Sequence, residues 1–195
     1  MRVIQVDEKI LRLMKKAGCW NIRFGLESGV QRILNYICKD QTLEQMTKAV
    51  RLCDKIGVIA YGGFIIGLPT ETVEESWQTI NYALSLPLSH CNFAIYEPRP
   101  NTKLFKMAQD EGFEIEDVAY SSLWSGLRGT IPKYTPQGRT PEELAELQRT
   151  AFKRFYMRPS FAFRHLKNIR SLQDIKTTFV GLRFLLRMGK EGAEF

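Results

Sequence analysis

Three short segments combine carboxylates, hydroxyls, glycines and prolines in a way that suits ligand binding. In Phe24-Gly25-Leu26-Glu27-Ser28-Gly29, a carboxylate and a hydroxyl sit between two glycines. The glycines let a ligand approach the backbone, and Glu27 can accept from an ammonium group or a ribose hydroxyl. An acidic turn residue in solvent explains the same pattern. In Gly62-Gly63-Phe64-Ile65-Ile66-Gly67-Leu68-Pro69-Thr70-Glu71, a glycine pair and a G-L-P turn suggest a backbone edge laid against a flat ligand such as a purine, or simply a tight strand-to-helix turn. Tyr96-Glu97-Pro98-Arg99-Pro100-Asn101-Thr102 is stiffened by two prolines and fits either a ligand wall or a plain connection. The four cysteines, Cys19, Cys38, Cys53 and Cys91, have no C-x-x-C spacing. They read as buried free thiols in a reducing compartment rather than as metal ligands.

These segments need strands and helices to position them. Asp7 can cap a helix with Ile10, Leu11, Leu13, Met14 and Ala17 at helical spacing, ended by Gly18. A strand over 20–24 follows, ended by Gly25. Thr42-Leu43-Glu44-Gln45 is a capping box for a helix that closes at Gly57. Residues 58–66 are almost continuously apolar, the pattern of a strand covered on both faces. Thr72-Val73-Glu74-Glu75 opens a helix through Ser85, and 92–96 is the next strand. Residues 102–112 can form a helix and 113–139 are irregular, while Thr140-Pro141-Glu142-Glu143 starts a helix to Tyr156. Residues 160–188 look helical. Alternating strands and helices of this length imply a parallel sheet with right-handed crossovers, open or closed into a barrel, with ligands at the carboxyl ends of the strands.

The chain of 195 residues is 44% hydrophobic and 25% charged, which excludes a disordered or collagen-like protein. Its net charge of +7 is unevenly placed: residues 1–150 hold 18 basic and 18 acidic side chains, and 151–195 hold 10 and 3. A neutral body with a basic end argues against phosphate contacts throughout the chain and points to a local interaction. No signal-peptide pattern opens the sequence and no uncharged run is long enough to span a bilayer, so the expected location is cytoplasmic, with membrane association through the basic end left open.

The three segments in their order resemble the second half of the barrel of radical S-adenosylmethionine enzymes. The resemblance runs from Ala17-Gly18-Cys19 through Glu27-Ser28-Gly29, Lys39-Asp40-Gln41-Thr42 and Gly57 to Glu71-Thr72, then Pro98-Arg99-Pro100-Asn101-Thr102. Phe155-Tyr156-Met157-Arg158-Pro159 is similar to an F-Y-x-R-P segment of cobalamin-associated members related to the anaerobic magnesium-protoporphyrin IX monomethyl ester cyclase. The resemblance implies an α/β fold, a partial (β/α) TIM-like barrel of parallel strands with a C-terminal helical extension. The implied divisions are the C-terminal half of the barrel over 1–112, an irregular connection over 113–139 and a basic helical extension over 140–195. It also implies that Glu27 and Ser28 face the methionine or ribose part of S-adenosylmethionine. Backbone at Ile66 and Gly67 would lie against ribose and adenine, with Glu97 and Pro98 completing the adenine wall. Asn101 stands where the family favours Gly.

The family's C-x-x-x-C-x-x-C loop, which holds a 4Fe-4S cluster, is absent from this sequence, so its ligands are expected upstream. The chain alone is then an inactive C-terminal portion of an enzyme that generates a 5′-deoxyadenosyl radical or supports methyl transfer. Cobalamin is a further cofactor implied for the full-length protein. The alternative is a non-catalytic partial-barrel binding module with a basic tail for a membrane or a partner. A half barrel would leave the strand before Asp7 without a neighbour. In the tail, Lys153, Arg154, Arg158, Arg164, Lys167, Arg170, Lys176, Arg183, Arg187 and Lys190 alternate with aromatics such as Phe152, Phe155, Phe161, Phe179 and Phe184. Three readings stand: helices packed on the barrel, an amphipathic segment on an anionic membrane, or nucleic-acid binding, against which the lack of any accompanying motif argues. The substrate implied is a small molecule, with lipid-like or tetrapyrrole-like chemistry suggested by the family.

Overall fold

A computed structural model describes residues 1–113, 132 and 134–161. A 3-10 turn, Val3–Gln5, leads into α1 (Glu8–Lys16), β1 (Asn21–Glu27), α2 (Gln31–Tyr36), α3 (Leu43–Ile56), β2 (Ile59–Ile66), α4 (Val73–Ser85), β3 (His90–Ile95), α5 (Lys103–Asp110) and α6 (Pro141–Tyr156). The strands form a parallel sheet in the order β1-β2-β3, with Arg23, Tyr61 and His90 in one row and Gly25, Gly63 and Asn92 in another. The chain is α/β, with the architecture of part of a TIM-like barrel.

Local hydrogen bonds start the helices where the sequence places them. Asp7 Oδ1 accepts from Ile10 N at 2.8 Å to open α1. Thr42 with Gln45 and Thr72 with Glu75 form reciprocal capping boxes on α3 and α4. Thr102 and Thr140 cap α5 and α6, and Pro141 occupies the first turn of α6. Helix α2 has no side-chain cap at Val30, which is why nothing in the sequence announces it.

The main core forms on one face of the sheet. Ile22, Phe24 and Leu26 of β1, Phe64 and Ile66 of β2, and Phe93 and Ile95 of β3 pack with Met46, Val50 and Cys53 of α3, Ile80 and Ala83 of α4, and Leu144, Ala151 and Phe155 of α6. Each large apolar side chain buried this way contributes roughly 1.5–3 kcal/mol. Helix α6 is built into this core and also covers the outer edge of β3. The Tyr156 hydroxyl accepts from Cys91 N at 3.2 Å and donates to Cys91 O at 2.8 Å, and Gln148 Nε2 donates to Phe93 O at 2.7 Å. Arg158 fixes the turn after the helix by donating to Leu84 O at 2.7 Å and Leu88 O at 3.0 Å. The F-Y-x-R-P segment thus anchors α6 onto α4 and β3.

Several expectations are corrected. Strand β1 runs through Gly25 to Glu27, because Gly25 pairs with Gly63 across the ladder. Strand β2 alternates: Ala60, Gly62, Phe64 and Ile66 are buried, whereas Ile59, Tyr61, Gly63 and Ile65 are only partly covered, since the described helices pack on one face. No strand precedes Asp7; a 3-10 turn is there, and among the described residues β1 is the strand with no strand partner on its outer edge, where the Met1 ammonium donates to Arg23 O at 3.1 Å. Cys53 and Cys91 are buried, but Cys19 is half-buried and Cys38 is exposed, at the end of α2 with a left-handed φ of 55°. The tail from 162 onward and most of 113–139 lie outside the described residues.

Candidate functional site

The carboxyl ends of the three strands lie on one side of the sheet, so the loops carrying Glu27, Gly67 and Glu97 come together. A second, smaller apolar cluster binds them to one another: Val30 and Ile33 after β1, Leu68 after β2, and Tyr96 after β3, with Ala108 and Tyr134. The convergence of three segments far apart in sequence gives the site its rigidity.

Each loop has its own device. A register shift between Gly25 and Glu27 ends β1 in a bulge, and Glu27 takes a left-handed φ of 62°. Glu27 Oε1 accepts from Lys39 Nζ at 2.7 Å, and both side chains stay partly accessible. Gln41 Nε2 donates to Gly25 O at 3.3 Å and Leu26 O at 3.2 Å, holding the bulge from behind. Ser28 is fully buried; its hydroxyl lies 3.1 Å from Thr79 Oγ1 and accepts from Val30 N at 3.1 Å, fastening the loop to α4.

After β2, Ile66 is buried and its carbonyl accepts from Tyr96 N at 2.9 Å. Gly67 has φ 73°, in the left-handed region, and an added Cβ would meet Leu144 Cδ1 at 3.0 Å. The loop is closed by Glu71, 2% exposed, whose Oε2 accepts from the N–H groups of Gly67 and Leu68 and from Ser76 Oγ. Its Oε1 is buried with no hydrogen-bond partner among the described residues. Burial pushes the Glu71 carboxyl up to about 7 despite those donors and the nearby Arg139. Arg139, also buried, donates to Ser76 Oγ at 2.7 Å and pairs with Glu143 at 2.7 Å. A cavity of about 400 Å³ lined by Thr70, Glu71, Glu74, Glu111 and Arg139 adjoins this network.

After β3, Tyr96 is buried with its hydroxyl unpartnered among the described residues, and burial pushes it up to about 12. Glu97 is half-buried and Pro98 buried. Asn101 adopts φ 65°, so Asn serves where the turn needs a left-handed residue.

The structure therefore brings the Glu27, Gly67 and Glu97 loops together and engages the Ser28 hydroxyl and the Ile66 carbonyl inside the protein. Lys39, Gln41, Glu71 and Arg139 were given no role by sequence. Lys39, Gln41 and Glu71 lie within the quoted motifs, and Arg139 directly precedes the Thr140 cap, but their partners are remote or buried in ways spacing does not show.

The inner face of the sheet is open at Gly63, where a Cβ would meet nothing nearer than Phe24 O at 3.6 Å, while the Glu27–Lys39 pair covers Gly25. That cradle suits a flat ligand approaching the backbone. The cysteines do not suit a cluster. Among the described residues no group of His, Cys, Asp or Glu is arranged to hold a metal ion, and burial pushes the thiols of Cys53 (to about 11) and Cys91 up, away from the thiolate a cluster needs. Among the described residues no helix is long and apolar enough to cross a membrane.

Residues 2–83 match the family model of the Radical SAM superfamily. The chain is 35% identical over 158 residues to an uncharacterized methyltransferase of Pyrococcus horikoshii, covering 81% of this chain and 33% of that protein. It is 30% identical over 157 residues to the anaerobic magnesium-protoporphyrin IX monomethyl ester cyclase of Rubrivivax gelatinosus, covering 80% and 27%. Among solved structures, the radical S-adenosylmethionine methyltransferase TsrM from Kitasatospora setae, with cobalamin and a [4Fe-4S] cluster bound, superposes with a TM-score of 0.52 at 20% identity over 76% of this chain and 29% of that one. That likeness shows a shared fold. The chain spans about a third or less of the length of these relatives.

Proposed function

We propose that the chain is the C-terminal portion of a radical S-adenosylmethionine enzyme barrel, forming walls of the S-adenosylmethionine site. The carrying observation is the convergence of the three strand-end loops through Val30, Leu68 and Tyr96. In this reading Glu27, at the bulge and still partly accessible, takes the ammonium or ribose side of S-adenosylmethionine. Ser28 fixes its loop from inside. The backbone at Ile66 and Gly67, held by the Glu71 carboxylate, lies along the ribose and adenine, and Glu97 with Pro98 closes the adenine side. Bound S-adenosylmethionine supplies an adenosyl or methyl group, and the chain's residues orient it and exclude water from it.

The family implies a 4Fe-4S cluster, and the cysteines present do not fit one, so its ligands are assigned to a part of the protein outside this sequence. Cobalamin, a cytoplasmic location and a division at about 112 and 139 belong to the same proposal. The small-molecule substrate and any membrane contact of the basic tail are proposals of the same standing. The alternative reading is a non-catalytic partial-barrel binding module with a basic tail for a membrane or a partner.

Two measurements decide between them. Reading the DNA upstream of Met1 in frame gives a C-x-x-x-C-x-x-C segment under the first reading and a nearby stop codon under the second. Anaerobic assay of the complete, reduced protein yields 5′-deoxyadenosine or S-adenosylhomocysteine under the first and neither under the second.

A further inference from the structure

The helix-free face of the sheet carries a row of side chains that the S-adenosylmethionine reading does not use. Arg23, Tyr61 and His90 are direct neighbours across the three strands. The Arg23 guanidinium carbon lies 5.2 Å from the Tyr61 ring centroid, and the Tyr61 and His90 rings stack at 4.5 Å with planes 13° apart. Phe161 closes the row edge-on to His90 at 6.3 Å. The stack uses the ring faces along the sheet, which fixes Arg23 without consuming its N–H donors. Among the described residues no carboxylate lies within ion-pair distance of Arg23, which is exposed. The adjacent row toward the strand ends is Gly25, Gly63 and Asn92: the Glu27–Lys39 pair covers Gly25, where a Cβ would meet Glu27 Oε1 at 2.6 Å and Lys39 Nζ at 3.3 Å, whereas Gly63 is open and Asn92 is exposed. A positive, pre-positioned fork on this open face, below the Glu27–Lys39 pair, has the chemistry of an oxyanion site inside the barrel.

Resting on the reading of the strand ends as an S-adenosylmethionine site, we propose that Arg23, held by Tyr61 and His90, binds the carboxylate or phosphonate group of a small-molecule substrate on the inner face of the sheet, with Asn92 contacting the same group. Tyr61 lies five residues before Ile66, about 16 Å along a strand. A substrate of that reach has its anionic end on Arg23 and its other end near the strand-end loops. Planar guanidinium recognition of two oxygens explains why an Arg, rather than a Lys, tops the stack.

The test uses the complete protein with phenylphosphonate and benzoate as probes and benzyl alcohol as the neutral control, followed by calorimetry at low and high salt. Expected are binding of one or both anions, none of the alcohol, and weakening by salt. Arg23→Gln weakens the anion at least tenfold, Arg23→Lys less, and Tyr61→Leu severalfold, with S-adenosylmethionine affinity and thermal midpoint unchanged. Comparison of the two anions tells phosphonate from carboxylate preference. The proposal is overturned if neither anion binds the wild type or if Arg23→Gln binds them equally. It is equally overturned if Arg23→Gln lowers the thermal midpoint without affecting the probes, because Arg23 then pairs with a carboxylate of the polypeptide. Loss of S-adenosylmethionine binding by the wild type with anion binding retained would instead contradict the function proposed above and leave this site standing.

Discussion

The carboxylate of Glu71 accepts the backbone N–H of Gly67 from four residues downstream, so the loop after β2 is tied by a buried acid of its own segment. The acid is raised from its ordinary 4.5 to about 7 by burial, so the folded protein holds the proton more tightly than the unfolded chain. The stability this contributes is full below pH 4.5 and is lost as pH rises through about 7. Relative to Glu71→Gln, the wild type is expected to lose up to about 1.4 kcal/mol per pH unit across that window. Urea midpoints of both proteins at pH 5 and pH 8 check this; parallel pH profiles would contradict it.

The neighbours Gly62 and Gly63 point to opposite faces and should respond oppositely. A Cβ on Gly62 would sit 2.7 Å from Leu88 Cδ1 and 3.2 Å from Leu26 Cδ1, inside the core, whereas Gly63 faces open space. Gly62→Ala is expected to cost about 1–3 kcal/mol by overpacking. Gly63→Ala should leave the thermal midpoint nearly unchanged and weaken S-adenosylmethionine severalfold. Thermal melts and binding titrations on the pair separate packing from ligand contact.

Tyr156 serves the β3 edge through both polar groups of Cys91, at 3.2 and 2.8 Å. Tyr156→Phe keeps the ring in the core and strands those groups, at an expected cost of about 1–3 kcal/mol. Faster hydrogen exchange at the Cys91 amide than at core amides of α3 is the specific signature; unchanged protection there would show that the hydroxyl does not seal the edge.

Glu27 and Lys39, 2.7 Å apart, form a partly accessible pair, so breaking it should change stability by less than about 1 kcal/mol. In the proposed site the same change alters ligand charge balance: Glu27→Gln weakens S-adenosylmethionine by roughly tenfold, about 1.4 kcal/mol, and Lys39→Met does not. Equal loss in both variants would assign the pair to structure alone.

The elements legible in the sequence were those fixed by bonds a few residues long. Asp7, Thr42, Thr72, Thr102 and Thr140 announce helix starts because each caps its own first turn. The continuation of β1 past Gly25 depends on Gly63, 38 positions away in the ladder, and no local pattern encodes it. The loops at Glu27, Gly67 and Glu97 stood out by composition, but their joining through Val30, Leu68 and Tyr96 is tertiary. Ser28 shows the limit of type-based reading: a hydroxyl in a binding-loop pattern is spent on Thr79 of α4. Arg23, Tyr61 and His90 lie in three separate segments, and only the strand register reveals them as a row.

The central claim, that the strand-end loops and the open backbone at Gly63 form an S-adenosylmethionine wall, is tested most directly by S-adenosylmethionine titration of the complete protein carrying Gly63→Val. The account predicts that the wild type binds and that Gly63→Val loses at least tenfold in affinity at an unchanged thermal midpoint. Equal affinity in the two proteins, or no binding by the wild type, would contradict it.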